Sequence, residues 1–193
     1  DTEVQDIAEL TQTLGVPYVF EFRSRTPYLG GLTFEADAPP FTLPIDETVA
    51  TFSGGTVAGR FAGQRLEADA QIGALDLTSP TMTFALRGFQ ASADNELRPE
   101  YVMPGKASFS IASVTAASSQ GAAPIFETLN LRMTSDVGVD GAGELLEMRA
   151  NYDVDSVRIA ENELTAGSVG LTLRDLDLAA LEAISALVSD AAA

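Results

Sequence analysis

The chain has no histidine, no cysteine, no tryptophan and a single lysine, Lys106. Each absence removes chemistry. Without histidine there is no Ser-His-Asp triad, no imidazole base and little scope for catalytic zinc. Without cysteine there is no disulfide, no thiol nucleophile and no thiolate metal site. The compartment stays open on that ground, and an oxidising one is tolerated. Cations are scarce: 11 Lys and Arg face 28 Asp and Glu, leaving −17 on 193 residues. Such a surface repels DNA, RNA and anionic lipid headgroups, so no nucleic-acid partner is expected. The sequence also has no apolar run of the ~18 residues a transmembrane helix needs. It starts at Asp1 without a signal peptide, as a mature or excised fragment would, with any targeting segment upstream.

What is present is a folded chain: 46% apolar and 20% charged residues suit a globular protein rather than a disordered one. The opening segment reads as a helix. Thr2 and Gln5 have capping-box spacing, Val4, Ile7, Leu10 and Leu14 make one stripe, and Gly15 and Pro17 stop it. Alternation then takes over. In "VPYVFEFRSR", Val16, Tyr18, Phe20 and Phe22 oppose Glu21, Arg23 and Arg25; "LTFEADA" (32–38) follows the same rule. A period of two with one polar face means half-buried strands. The prolines of "APPFTLPI" are expected to interrupt the sheet. Further strands are predicted at Thr56–Gly63, Leu66–Leu77, Met82–Ala91, Ala107–Ala116, Phe126–Thr134, Leu145–Ile159 and Leu164–Leu173. Ile72 and Leu75 break the alternation, which predicts a bulge at Gly73. A second helix begins after a capping Asp177, with Leu178, Leu181, Ile184, Leu187 and Val188 as its stripe.

A weak internal repeat runs through this pattern. "IGALDL" precedes "FALRGF", "IASVTA" precedes "LNLRMT", and "VDSVRI" precedes "LTLRDL". Each pair reads as one hairpin. Arg87, Arg132 and Arg174 close the second strand of each and alternate with apolar neighbours. They therefore fit a repeated outward position rather than a convergent active group. The fold expected is mainly β: a curved antiparallel sheet of long strands built from repeated hairpins, with a short helix at each terminus. Phe20, Phe22, Phe34, Phe84, Leu86, Phe109 and Leu131 are placed inside; Arg23, Arg87 and Arg132 outside. Two short helices cannot hide so large an apolar face. Either the sheet curls on itself or a partner segment outside this chain covers the rest; alanines alternating with phenylalanines favour a sheet that closes tightly and fills its own face.

Three stretches, "RSRTPYLGGLTFEADAPPF", "NELRPEYVMPGKASFSIAS" and "LTLRDLDLAALEAI", resemble the YdgA-like family of Gram-negative bacteria. The likeness runs from about Pro17 to the C-terminus. It implies a periplasmic protein tethered to the inner membrane by an N-terminal segment, with no established biochemical function and no catalytic residues to carry over. Family members are longer on both sides. Residues 1–193 are therefore expected to be a single β-rich domain, part of a longer tethered protein.

Local motifs are weaker. "PGKAS" resembles the end of a phosphate loop, but Glu100 stands where the first glycine belongs and a strand follows, so Pro104-Gly105 reads as a turn. In "DVGVDGAGELLE", Asp136, Asp140, Gly141 and Glu147 match positions of a calcium loop, yet Gly138 and Gly143 replace a ligand and an aliphatic, and no exit helix follows. A hairpin turn with solvated acids is the simpler reading. Paired carboxylates such as Asp153 and Asp155 occur by chance among so many acids. Tyr18, Phe20, Phe22 and Phe34 form an aromatic patch, read as core or as the lining of an apolar groove. No cofactor or catalytic residue is expected. The favoured function is a non-enzymatic interaction or scaffold domain of the cell envelope, partnering an envelope protein or lipid. A lipid or hydrophobic-ligand carrier using a concave apolar face is the alternative, and a carboxylate-based hydrolase comes third.

Overall fold

The computed structural model describes residues 20–26, 30–97, 104–121, 123–140 and 144–180. These form eleven strands in one antiparallel sheet. The strands are β1 (Glu21–Arg25), β2 (Leu32–Ala38), β3 (Phe41–Ile45), β4 (Thr48–Phe52), β5 (Gly55–Ala62), β6 (Arg65–Thr78), β7 (Met82–Glu96), β8 (Gly105–Ser118), β9 (Pro124–Val139), β10 (Leu145–Ile159) and β11 (Asn162–Asp177). The order is β1-β2-β5-β6-β7-β8-β9-β10-β11. The expected hairpins are β6–β7, β8–β9 and β10–β11, each pairing with the next. The mainly β fold read from alternation is the fold observed. The helix expected at the N-terminus and most of the segment expected as a C-terminal helix lie outside the described residues. The latter's first turn is seen at 178–180, where Asp177 Oδ1 accepts the Ala180 amide at 3.1 Å as its cap.

"APPFTLPI" does not interrupt the sheet. Phe41–Ile45 is β3, which pairs with β4, and β4 in turn pairs with the far half of β6. β5 pairs with the near half of β6. Pro44 is tolerated because β3 pairs on one side only, so no second ladder needs its missing N–H.

Directly opposed residues of an antiparallel pair share a face. Following partners across the sheet therefore gives rows. One row reads Phe22, Ala36, Val57, Ala70, Ala91, Phe109, Met133, Tyr152, Val169, apolar at every strand of the nine. The next row on the same face is Phe34, Gly59, Ala68, Ala93, Ala107, Ser135, Ala150, Leu171. The opposite face carries Glu67, Asp94, Lys106, Asp136, Arg149 and Thr172 in a single row. The alternation in the sequence thus becomes one apolar and one polar face.

The apolar face is not self-filled by the described residues. The sheet is open, running from β1 to β11 without closing, and no described large side chain is fully buried. Among the described residues, Ala50, Leu146, Ala150 and Pro104 are buried. Phe34, Phe84, Leu86, Phe109 and Leu131 are half-buried. Phe20 and Phe22, expected inside, are 59% and 58% exposed. They sit on or beside the edge strand β1, where only one neighbouring strand can shield them. Small alanines thin the layer but bring no second layer against it. Arg23 and Arg132 are exposed as expected, while Arg87 is only part-buried on the polar face.

The bulge expected at Gly73 is part of a larger feature. Gly73, Gly88, Ala112, Asn130, Asp155 and Ala166 all drop out of the pairing between their strands. They lie on one line across β6 to β11. Alternate members are left-handed: Gly88 (φ 61°), Asn130 (φ 50°) and Ala166 (φ 48°). Pairing resumes beyond the line in the same register, because facing strands each omit one residue. No extra residue is inserted, so this is a crease rather than a one-sided bulge. Its effect is on parity. Ile72 and Leu75, Ile111 and Val114, and Val154 and Val157 are three apart and would fall on opposite faces of a regular strand. Removing one residue from each ladder lets the apolar face continue as Leu75, Leu86, Val114, Thr128, Val157 and Leu164. Asn130 Nδ2 donates to Asp155 Oδ2 at 2.7 Å across the line. At its β5 end, the Ala74 amide donates to Ser53 Oγ at 2.7 Å.

The crease generates a stability prediction. Asn tolerates the left-handed region; a β-branched residue does not. Asn130→Val should destabilise the chain by ~1–3 kcal/mol, and Asn130→Gly by less, in urea unfolding. Equal losses from both would mean that the backbone conformation at position 130 is not the constraint. Phe84→Ala should cost less than the ~3–5 kcal/mol of a fully buried site, because Phe84 is half-buried.

Candidate functional site

Two surfaces compete for the role, and the sheet pleat separates them. The first is the apolar face. Its rows cross nine strands, about 38 Å at ~4.8 Å per strand. Tyr152, Val169, Leu171 and Leu173 stand 43%, 67%, 48% and 37% exposed along it. Of the expected aromatic patch, Tyr18 lies outside the described residues. Phe22 and Phe34 share the apolar face, Phe22 pairing with Ala36 two residues from Phe34. Phe34 stacks against Phe61 with ring centroids 5.8 Å apart and a 37° tilt. Sequence reasoning missed Phe61, although its place opposite Leu32 and Leu66 follows from the same alternation. Among the described residues, the patch lies at one end of the apolar band.

Hollows lie on the polar face instead. One of ≈ 710 Å³ is lined by Glu67, Asp94, Lys106, Asp136, Arg149 and Asn151 among others. One of ≈ 380 Å³ lies between the rows of Gln71, Gln90, Ser110, Arg132 and of Asp69, Ser92, Ser108, Thr134. Long charged side chains standing off the sheet make their walls. All ten cations among the described residues sit on this face, and most are paired. Arg60 holds Glu67 at 2.7 Å, Arg158 holds Glu127 at 3.1 Å, and Arg65 makes two hydrogen bonds to Asp94. The hydrogen bond from Arg60 lowers the Glu67 pKa, and that from Arg65 lowers the Asp94 pKa. These are exposed pairs with small individual effects on stability.

The three repeat arginines do not converge. Arg87 pairs with Asp76 at 2.5 Å and Arg174 with Glu147 at 3.0 Å, while Arg132 stands between Ser110 and Asp153 in register. They fall on different rows. Their repetition belongs to the hairpins, as the sequence suggested.

The acids of the calcium-like stretch are used otherwise. Asp140 Oδ1 accepts the Glu144 and Leu145 amides at 2.8 and 3.0 Å, closing the β9–β10 turn. Glu147 Oε1 is shared by Arg149 at 2.8 Å and Arg174 at 3.0 Å. Asp136 lies between Lys106 and Arg149 in register. A strand, β10, follows the turn where a calcium loop would have a helix. Among the described residues, no three acids are grouped to hold a metal. Of the carboxylate pair Asp153 and Asp155, Asp153 lies opposite Arg132 in register, and Asp155 sits on the crease and accepts from Asn130. Gly105 opens strand β8, so "PGKAS" runs into a strand where a phosphate loop would run into a helix, and Lys106 stands between Asp94 and Asp136.

Two tests follow. Asp140→Ala should cost about 1 kcal/mol through the lost turn hydrogen bonds. Millimolar calcium should leave the melting temperature of both forms unchanged beyond the rise that magnesium also gives by screening; a calcium-specific shift lost in Asp140→Ala would contradict this. The second test is pH dependence. The Arg149 hydrogen bond first, then its charge, lowers the Glu147 pKa. A carboxylate lowered on folding contributes stability above its unfolded pKa and loses it as pH falls through the folded one. The melting-temperature difference between wild type and Glu147→Gln should therefore be present at pH 7 and vanish in acid. A difference that persists at pH 2 would assign the effect to something other than ionisation.

No curated protein and no solved structure shows significant similarity to the chain. A family model does match, over residues 1–193. The chain belongs to the family described as "Bacterial protein of unknown function (DUF945)".

Proposed function

We propose that this chain is a non-enzymatic interaction domain of the bacterial cell envelope. It works in the periplasm, held at the inner membrane by a segment outside this chain, and seats an apolar partner surface on its apolar sheet face. The observation that carries this reading is the row from Phe22 to Val169, apolar at all nine strands, with Tyr152 43% and Val169 67% exposed. Contiguous apolar surface of this extent marks a binding face in soluble proteins. The polar face supports no rival chemistry as strongly, because its cations are largely committed to ion pairs and no imidazole or thiol exists in the chain. The net charge of −17 further disfavours a polyanionic partner.

A lipid carrier is the second reading, favoured by the small-residue row Gly59, Ala68, Ala93, Ala107, Ser135, Ala150 beside the bulkier one. An acyl chain spans about half of the ~30 Å hydrocarbon core, so the band is long enough. Burial contributes ~0.8 kcal/mol per methylene.

A photoreactive residue at Ala91, on the apolar face, and one at Gln90, on the polar face, separate the readings in cells. Protein adducts from position 91 and not from 90 are the expected result. Phospholipid adducts at 91, with near-stoichiometric lipid in native mass spectra of the purified chain, would replace the interaction domain with the carrier. Adducts from 90 alone would sink both.

A further inference from the structure

The two edges of the sheet differ. β1 is five residues long and carries Glu21, Arg23 and Arg25. That is how natural sheets blunt an edge: short and charged. β11 is sixteen residues long, pairs only with β10 among the described strands, and contains no proline. Residues 164–173 carry no charge at all, in a chain of net charge −17. Leu164, Val169, Leu171 and Leu173 are 65%, 67%, 48% and 37% exposed. A long edge with an uncharged stretch at its middle is a template for another strand, and residues 167–173 carry neither charge nor proline to protect it.

The sequence of β11 specifies which strand fits. Two left-handed residues, Ala166 (φ 48°) and Asp175 (φ 56°), interrupt the regular backbone. The uncharged stretch between them, residues 167–173, is symmetric about Gly170. Laid antiparallel on a copy of itself, it sets Val169 against Leu171 and Gly167 against Leu173 on the apolar face. On the polar face it sets Ser168 against Thr172, and Gly170 against itself. The side chains match in chemistry at Val169 with Leu171 and at Ser168 with Thr172, while Gly167 leaves room for Leu173. The rows ending at Val169 and Leu171 then each run on into the other copy. No charge meets a like charge within the paired segment; Glu163 and Asp177 stay outside it.

We propose that β11 is a self-association edge, on which a second copy of this chain pairs its own β11 about a two-fold axis at Gly170. Seven paired residues span about 24 Å and bury less than the ~800 Å² per partner of a standard interface. The dimer is therefore reversible. The two copies also repel through their net charge, so salt should strengthen pairing by screening.

The absence of cysteine makes the register testable in the whole chain. Gly170→Cys places two thiols opposite each other across the axis, within disulfide reach. Its added Cβ would meet Asn151 Oδ1 at 3.1 Å, a side-chain end that can turn aside. Ser168→Cys sets its thiols four residues out of register, and Asp46→Cys puts them on the β3–β4 turn. Under mild oxidation, Gly170→Cys should form a disulfide dimer on the order of tenfold faster than the other two. Adding Leu171→Lys, an inward edge charge, should remove that advantage while circular dichroism keeps the strand signal. Sedimentation of the unmodified chain should show a concentration-dependent dimer, more of it at about 0.5 M than at about 0.02 M salt. Equal oxidation rates at all three positions, or a monomer at every concentration and salt, would overturn the proposal.

Discussion

Every strand from β6 to β11 gives up one paired residue at the same line, and the apolar face depends on it. Without that line the apolar residues of Leu66–Ile72 and of Leu75–Leu77 would point to opposite sides of the sheet. Each half would then have its own apolar face, and no partner or fold could cover both at once. The crease repairs this with Gly88, Asn130 and Ala166 in left-handed backbone and with two cross-line hydrogen bonds, Asn130 to Asp155 and Ala74 to Ser53. The cost of those conformations is set against the continuity of a face six strands wide. Ala166 is the strained member, because alanine lacks the local hydrogen bonding that helps asparagine there.

The energetics are unusual for a chain of this length. Ladders between long antiparallel neighbours satisfy the backbone. The polar face adds an ordered array of ion pairs, each weak alone, that spaces the few cations evenly among acids. The apolar face contributes less than its composition suggests, since most of its described residues, Leu146 and Ala150 excepted, remain half-buried or exposed. Hydrophobic stabilisation scales with area removed from water, and the single layer that the described residues form removes it from one side only. The unfilled part of that stabilisation is what a partner surface or an acyl chain would supply. Binding and stability are thus linked through the same residues.

Much of this was legible in the sequence. Alternation gave all six long strands, β6 to β11, with ends within about five residues, and the repeat gave the three hairpins. The repeat also marked the crease: Ile72, Ile111 and Val154, its first positions, each stand immediately before a crease residue. Gly73 betrayed the parity change on one strand. The partner residues did not, because Asn130 has many uses in a strand and Ala166 has no signature of left-handed backbone. The β3–β4 hairpin was hidden by Pro44, which argues against a strand unless its one-sided pairing is known. Periodicity said that one face is apolar; it could not say whether a second layer exists, since that depends on closure between strands far apart in sequence. The same limit put Phe20 and Phe22 in a core: alternation assigns a face, not a depth.

The apolar face of the sheet, as the described residues form it, is uncovered on one side. Tyr152 stands on that face in the long strand β10, and Asn151 is its neighbour on the polar face. In a chain without cysteine, maleimide labelling of Tyr152→Cys and Asn151→Cys compares the two faces directly. The account predicts labelling rates within a few-fold of each other in the folded chain. Rapid labelling at 151 with protection at 152 until the chain unfolds would show the face already covered, and would contradict it.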